Sequence, residues 1–164
     1  MYYRKSGSSD RPSGEKNKRA LRSLVGRPVA PGLIAYEDGS PVGWISLGPR
    51  EDYARLQRSP VMKPVDDRPV WSIVCFFVDA RARGKGVTRA LLKASIDYAR
   101  SKGATLLEAY PVDKPAAAHP DTMWFGPQSL FEDAGFKEVA RRKETRPVMR
   151  KPLRPRRAPK TRSR

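Results

Sequence analysis

The sequence is poor in cysteine and lacks long apolar runs. Its single cysteine, Cys75, rules out a disulfide framework within the chain, and nothing in the composition demands an oxidising compartment. No apolar run approaches the ~20 residues of a membrane span. The N-terminus lacks the apolar core of a signal peptide. We therefore expect a cytoplasmic protein with no membrane partner.

Acidic residues are also scarce. The 164 residues include 17 Asp and Glu against 34 Lys and Arg, a formal net charge of +17. Both ends are rich in basic residues, which predicts a flexible basic segment over residues 1–18, one domain over 19–153 and a disordered basic tail over 154–164. For the tail, weak polyanion binding is one interpretation, and a charged tail that is simply solvated is the other. A nucleic-acid or ribosome-associated protein is one alternative function.

The most informative stretch is residues 70–103. Residues 70–78 form a nearly continuous apolar run with the length and composition of a buried strand. Residues 79–86 read as a short turn with two glycines. Apolar residues then recur at 87, 90, 91, 94 and 98, which predicts a helix that ends near Gly103.

The turn has the chemistry of an anion site. A helix N-terminus offers backbone N–H groups without partners and a partial positive charge. Gly84 and Gly86 allow a ligand to approach the backbone closely, and Arg83, Lys85 and Arg89 surround it with cations. The turn matches neither a P-loop nor a dinucleotide fingerprint. We therefore predict a phosphate site of another kind, with an ordinary surface turn as the alternative.

This stretch resembles the acyl-CoA-binding motif of the GNAT superfamily of acetyltransferases, Gln/Arg-x-x-Gly-x-Gly/Ala between a strand and a helix. Arg81, Gly84 and Gly86 match it. The resemblance implies an α/β (α+β) fold with a mixed central sheet. It comprises an antiparallel hairpin followed by β-α-β-α-β-β, with a V-shaped splay between the two central strands. The strand candidates fit this order: 33–36, 42–47, 70–78, 105–110, 136–140 and 146–149.

The resemblance also implies a cosubstrate, acetyl-CoA, and no metal. The backbone at the end of the central strand would pair with the pantetheine arm and polarise the thioester. The turn amides would hold the pyrophosphate. The cofactor-binding residues implied in this way are Phe76, Phe77, Val78, Arg83, Gly84, Lys85, Gly86, Val87, Thr88 and Arg89.

The catalytic groups are less clear. Glu108 occupies a strand position where some GNAT enzymes have a glutamate base, so the resemblance implies that role; the alternative is an outward-facing glutamate paired with a lysine. The tyrosine that often protonates the thiolate is replaced by Phe131, which leaves water or Tyr110. Trp124 stands where the family usually has an asparagine, and His119 is a weaker candidate proton carrier.

The expected activity is acetyl transfer to a primary amine of a small molecule or a protein. An acyl-CoA binder without turnover is the second alternative, favoured by Phe131. The sequence leaves open the acceptor and the oligomeric state, with a homodimer as one option.

Overall fold

The computed structural model describes residue 4 and residues 14–113 and 124–154. A six-stranded sheet in the order β1-β2-β3-β4-β6-β5 forms its centre. The strands are β1 Gly32–Glu37, β2 Ser40–Pro49, β3 Trp71–Val78, β4 Leu106–Ala109, β5 Lys137–Arg141 and β6 Pro147–Pro152. The helices are α1 Gly14–Val25, α2 Ala54–Arg58, α3 Val87–Ser101 and α4 Gln128–Asp133. The mixed architecture predicted from the sequence is confirmed.

The strand pairing follows the predicted order. β1 and β2 form an antiparallel hairpin, and β2 pairs antiparallel with β3. The hairpin turns at Asp38 and Gly39, which both have positive φ (49° and 76°), the backbone that a tight hairpin turn requires. β3 and β4 are parallel and joined through α3, and β6 lies antiparallel between β4 and β5.

A bulge in β3 opens the centre of the sheet. Ser46 pairs with Cys75 and the next residue of β2 pairs with Ile73, so Val74 is an extra residue in β3. The parallel ladder between β3 and β4 ends at Ile73 and Ala109, although β3 continues to Val78. Because a bulge bends its strand and strengthens the local twist, β3 leaves β4 here. This divergence is the predicted splay.

Helix α3 packs on one face of the sheet, against β1, β2 and β3. Its buried residues are Leu91, Leu92, Ser95 and Ala99. The predicted apolar face was partly wrong, because Ala90 and Ala94 are exposed. Alanine carries little apolar area, so the larger leucines decide which face turns inward.

The contact of α3 with the sheet is close at Gly43 in β2. A Cβ atom there would lie 2.8 Å from Val87 Cγ1 and 3.1 Å from Leu91 Cδ1. The absence of a side chain therefore lets the first turn of α3 lie directly on the sheet, beside the end of β3.

A second apolar cluster covers the opposite face of the sheet. It includes Tyr53, Leu56, Val74, Tyr110, Phe125 and Val148. The segment between β2 and β3 contributes α2 and a loop, and Arg142 of the β5–β6 turn donates to the loop carbonyls of Val61, Lys63 and Pro64 at 2.7–3.2 Å. Among the described helices, none is long and apolar enough to cross a membrane.

Candidate cofactor site

The turn between β3 and α3 begins with a capped 3₁₀ turn, Ala80–Ala82. Asp79 Oδ1 accepts from the backbone N–H of Arg81 at 2.9 Å, and the guanidinium of Arg81 bonding to Asp79 lowers the pKa of that carboxyl. Gly84 and Gly86 follow with φ of 76° and 78°, in the left-handed region that favours glycine. A Cβ at either position would meet nothing within 4 Å, so both backbones face open space.

Helix α3 starts immediately after this turn. Gly86 is its N-cap, and Ala90 is the residue whose N–H bonds back to the Gly86 carbonyl, at 3.0 Å. The backbone N–H groups before Ala90, in the first turn of the helix, have no intrahelical acceptor. They carry the positive end of the helix dipole. They are suited to an anionic ligand.

A pocket of about 210 Å³ lies over these amides. It brings together seven of the ten predicted cofactor residues and adds Ala82 and Leu130. The predicted seven are Val78, Arg83, Gly84, Gly86, Val87, Thr88 and Arg89. Neither Ala82 nor Leu130 was predicted to line the pocket. For Leu130, its position in the helix just before Phe131 was a usable signal.

The cations around the turn are held by nearby acceptors. Arg89 Nη2 donates to Asp133 Oδ2 at 2.9 Å, and Arg83 Nε donates to the Val78 carbonyl at 3.3 Å. Lys85 points away from the pocket and pairs with Glu37 of the hairpin at 2.9 Å. Arg83 and Arg89 are therefore the two cationic side chains that line the pocket.

The end of β3 presents its three predicted residues differently. Phe76 is 7% exposed and packs edge-on against Phe131, with ring centroids 6.1 Å apart. Phe77 is 60% exposed and lies on the sheet face opposite α3, whereas Val78 lines the pocket. The Phe76 backbone N–H donates to the Trp124 carbonyl at 2.6 Å. Of the three predicted strand residues, only Val78 therefore lines the pocket, and the Phe76 amide already has a partner.

Glu108 lies in β4 and is fully buried, so the alternative of an outward-facing glutamate is wrong. Its Oε1 accepts from Arg50 Nη1 at 2.7 Å and from the Tyr110 hydroxyl at 2.6 Å. Its Oε2 accepts from Arg150 Nε at 2.8 Å. Two arginines thus neutralise one buried carboxylate, and removing it would leave both of them without that partner.

This network reaches the surface through Asp66. Arg150 Nη1 donates to Asp66 Oδ2 at 2.7 Å, and this hydrogen bond holds the pKa of Asp66 well below its usual range. Nothing in the local sequence indicated the two arginines, because they lie 58 and 42 residues from Glu108. Arg150 reaches Glu108 because β6 pairs with β4. Arg50 reaches it from the segment that directly follows β2.

The structure also places Phe131, which replaces the usual tyrosine, and Tyr110, the candidate side-chain proton donor. Phe131 is fully buried between Phe76 and Phe136, as a packing residue would be. The Tyr110 hydroxyl is buried with Arg50, Glu108 and Ser72 around it. Burial, together with the charge of Glu108, raises the pKa of Tyr110 well above its usual value. His119 lies outside the described residues.

The sequence and fold were compared with known proteins. The model of the acetyltransferase (GNAT) family matches residues 3–120. The match spans most of the chain, which therefore belongs to the GNAT family of acetyltransferases. No curated protein sequence matches the chain.

Solved structures share the fold at low sequence identity. A ribosomal-protein-alanine N-acetyltransferase from Brucella melitensis is 24% identical, with a TM-score of 0.57 over 84% of this chain and 78% of its own. An N-acetyltransferase from Staphylococcus aureus Mu50 is 21% identical, with a TM-score of 0.57 over 88% and 80%. A chain of the NatC complex bound to Gag peptide and CoA is 17% identical, with a TM-score of 0.57 over 90% and 84%.

Proposed function

We propose that the protein transfers an acetyl group from acetyl-CoA to a primary amine of a small molecule or a protein. The observation that carries this proposal is the open glycine turn at the N-terminus of α3, lined by Arg83 and Arg89, next to the splayed end of β3. Family membership supports the acetyl donor. The open space at Gly84 and Gly86 fits a pyrophosphate that approaches the main chain.

In the proposed reaction the amine nitrogen attacks the thioester carbonyl carbon directly. The C–S bond then breaks, the amine proton passes to a base and the thiolate takes up a proton. In this reaction the amides at the end of β3 would pair with the pantetheine arm and stabilise the oxyanion. One such donor is worth about 2.7 kcal/mol or more in other enzymes.

Glu108 is the proposed base, and its burial sets a condition on that role. No substrate can touch a carboxylate that is 0% exposed, so a proton would have to reach it through water or through the network. Glu108→Gln is then expected to lower kcat by about 10²–10⁴ with CoA binding intact.

A control separates the base from a purely structural role. Asp66→Asn perturbs the same network at its exposed end, where Asp66 bonds to Arg150. If both variants lose the same activity, Glu108 acts by holding Arg50 and Arg150 in place. If Glu108→Gln turns over normally, Glu108 is not the base.

We infer that water protonates the departing thiolate. Tyr110 is fully buried and bonded within the network, and Phe131 has no proton to give. CoA thiolate is a fair leaving group, so a side-chain acid is not essential. A Tyr110→Phe variant that retains turnover would support this inference.

The second candidate function is acyl-CoA binding without turnover, and the buried Phe131 favours it. Titration of the protein with CoA in a calorimeter tests the shared cofactor site. Thiol release from acetyl-CoA in the presence of a panel of amines then separates the two functions. Binding without thiol release for any amine would favour the binder, and absence of CoA binding would contradict both.

A further inference from the structure

A short segment of the chain occupies the gap between the diverging strands. Residues 124–126, here called the strap, lie between β3 and the continuation of β4. On one side the Phe76 N–H donates to the Trp124 carbonyl at 2.6 Å. On the other side the Val112 N–H donates to the Gly126 carbonyl at 2.9 Å. The strap thus spans the splay with its own backbone.

The strap uses an amide that the proposed function assigns to the cofactor. A backbone N–H has one hydrogen, so Phe76 cannot bond at full strength to both the Trp124 carbonyl and the acyl arm. We propose that the strap is an autoinhibitory contact, in which the Trp124 carbonyl occupies the place of the thioester carbonyl until acetyl-CoA displaces it. This proposal rests on the proposed function of the β3 amides.

The strap is held mainly at its middle residue. Phe125 is 6% exposed, and its ring lies edge-on to Tyr110 with centroids 6.4 Å apart. Arg146 stacks on the same ring at 4.7 Å. Trp124, in contrast, is 57% exposed. Its carbonyl can therefore turn away from β3 while Phe125 and the bond from Val112 stay in place.

The backbone after Phe125 is fixed by its surroundings. Gly126 has φ of 75°, and a Cβ there would lie 3.2 Å from Leu130 Cδ2 and 3.3 Å from Phe131 Cε2. Glycine is thus required both by the left-handed backbone and by the close approach to α4. The Phe125–Gly126 peptide therefore stays in place, and the rotation that frees the Phe76 amide is confined to the Trp124–Phe125 peptide, about ψ of Trp124 and φ of Phe125.

The contact lowers the apparent affinity for the acyl arm but not for the phosphates. Affinity falls by the fraction of molecules in which the cleft is open. One backbone hydrogen bond closes it, so loosening the strap is expected to tighten acetyl-CoA binding roughly three- to tenfold. Adenosine 3′,5′-bisphosphate carries phosphates without the arm, and its affinity should not change.

Trp124 emission is the first readout, with acetyl-CoA as the probe, because only the acylated form carries the thioester carbonyl. Titration should change the emission in parallel with the calorimetric binding curve. Trp124→Phe should remove that change while retaining acetyl-CoA affinity, because the carbonyl belongs to the backbone. Excess adenosine 3′,5′-bisphosphate should displace acetyl-CoA and restore the emission of the free protein. Acetyl-CoA binding with no Trp124 response, or displacement that leaves the emission changed, would overturn the proposal.

The second readout is the affinity of a loosened strap. Phe125→Leu should raise acetyl-CoA affinity by the stated factor. Leu56→Ala, a truncation in the same apolar cluster on α2, should leave it unchanged. Equal affinities for Phe125→Leu and the wild type would overturn the proposal. Failure of CoA to bind the wild type at all would overturn the proposed function and the strap together. CoA binding without the expected effect of Phe125→Leu would overturn the strap alone.

Discussion

Replacing Gly86 by alanine tests the cofactor site, because the same helix offers a matched control at its other end. Gly86 precedes α3 with φ of 78°, and Gly103 follows it with φ of 82°. A Cβ at either position would meet nothing within 4 Å. Neither substitution causes a clash, so each should cost only the left-handed strain of an L-residue, about 1–2 kcal/mol.

The two variants should differ in CoA binding. At Gly86 the new Cβ lies in the open space over the turn, where a phosphate would approach the amides. Loss of one amide–phosphate hydrogen bond, worth about 1.5–3 kcal/mol, weakens binding roughly tenfold to a hundredfold. Gly103→Ala should leave CoA affinity unchanged.

Two measurements decide the outcome. Denaturant unfolding followed by circular dichroism should show similar losses of stability in the two variants. Calorimetry with CoA should then show weaker binding for Gly86→Ala only. Equal CoA affinity in both variants would refute the assignment of the pyrophosphate to this turn, whatever their stabilities.

Three further predictions concern packing, charge and pH. Gly43→Val would force a side chain against Val87 of α3 and should cost about 1–3 kcal/mol in urea unfolding; an unchanged midpoint would mean that α3 can shift freely. Asp133→Asn releases Arg89 from its 2.9 Å ion pair and should tighten CoA binding several-fold at low salt, less so at high salt. Affinity that stays constant in calorimetry at both salt concentrations would exclude Arg89 from the ligand. Burial raises the pKa of Tyr53 to about 12, so its stabilising effect is complete below pH ~10 and is lost as the pH rises towards that value, at about 1.4 kcal/mol per pH unit. The pKa of Tyr110 is raised as well, so both tyrosines contribute to the slope measured in the wild type. Tyr53→Phe should reduce the slope of the free energy of unfolding above pH ~10 by about 1.4 kcal/mol per pH unit, and an unreduced slope would contradict the assignment.

The local features of the fold were predictable. Residues 70–103 carry a strand, a glycine turn and a helix in one continuous stretch, and the structure has β3, the turn and α3 there. The phase of the helix was less certain from sequence, because Ala90 and Ala94 fit the apolar pattern but are exposed. Small residues satisfy a helical period without requiring burial, so only the position of the sheet decides between neighbouring faces.

The parts of the candidate site that depend on backbone conformation could be predicted, and those that depend on side-chain direction could not. Gly84 and Gly86 could be placed because a turn with positive φ leads directly into a helix. The direction of a long side chain could not be inferred, since Lys85 turns to Glu37, 48 residues earlier in the chain. A charge pattern shows which groups are present but not which partner each one reaches.

The sequence by itself determined a basic chain, a glycine-bearing turn between a strand and a helix, and the family to which the chain belongs. The tertiary structure decided what surrounds the chemistry: Glu108 lies between Arg50 and Arg150, and the Phe76 amide bonds to Trp124. Strands, turns and helices depend on residues that are neighbours in the chain, so their patterns can be recognised in the sequence. Contacts across tens of residues depend on how strands align and where a bulge parts them, and no short pattern encodes that alignment.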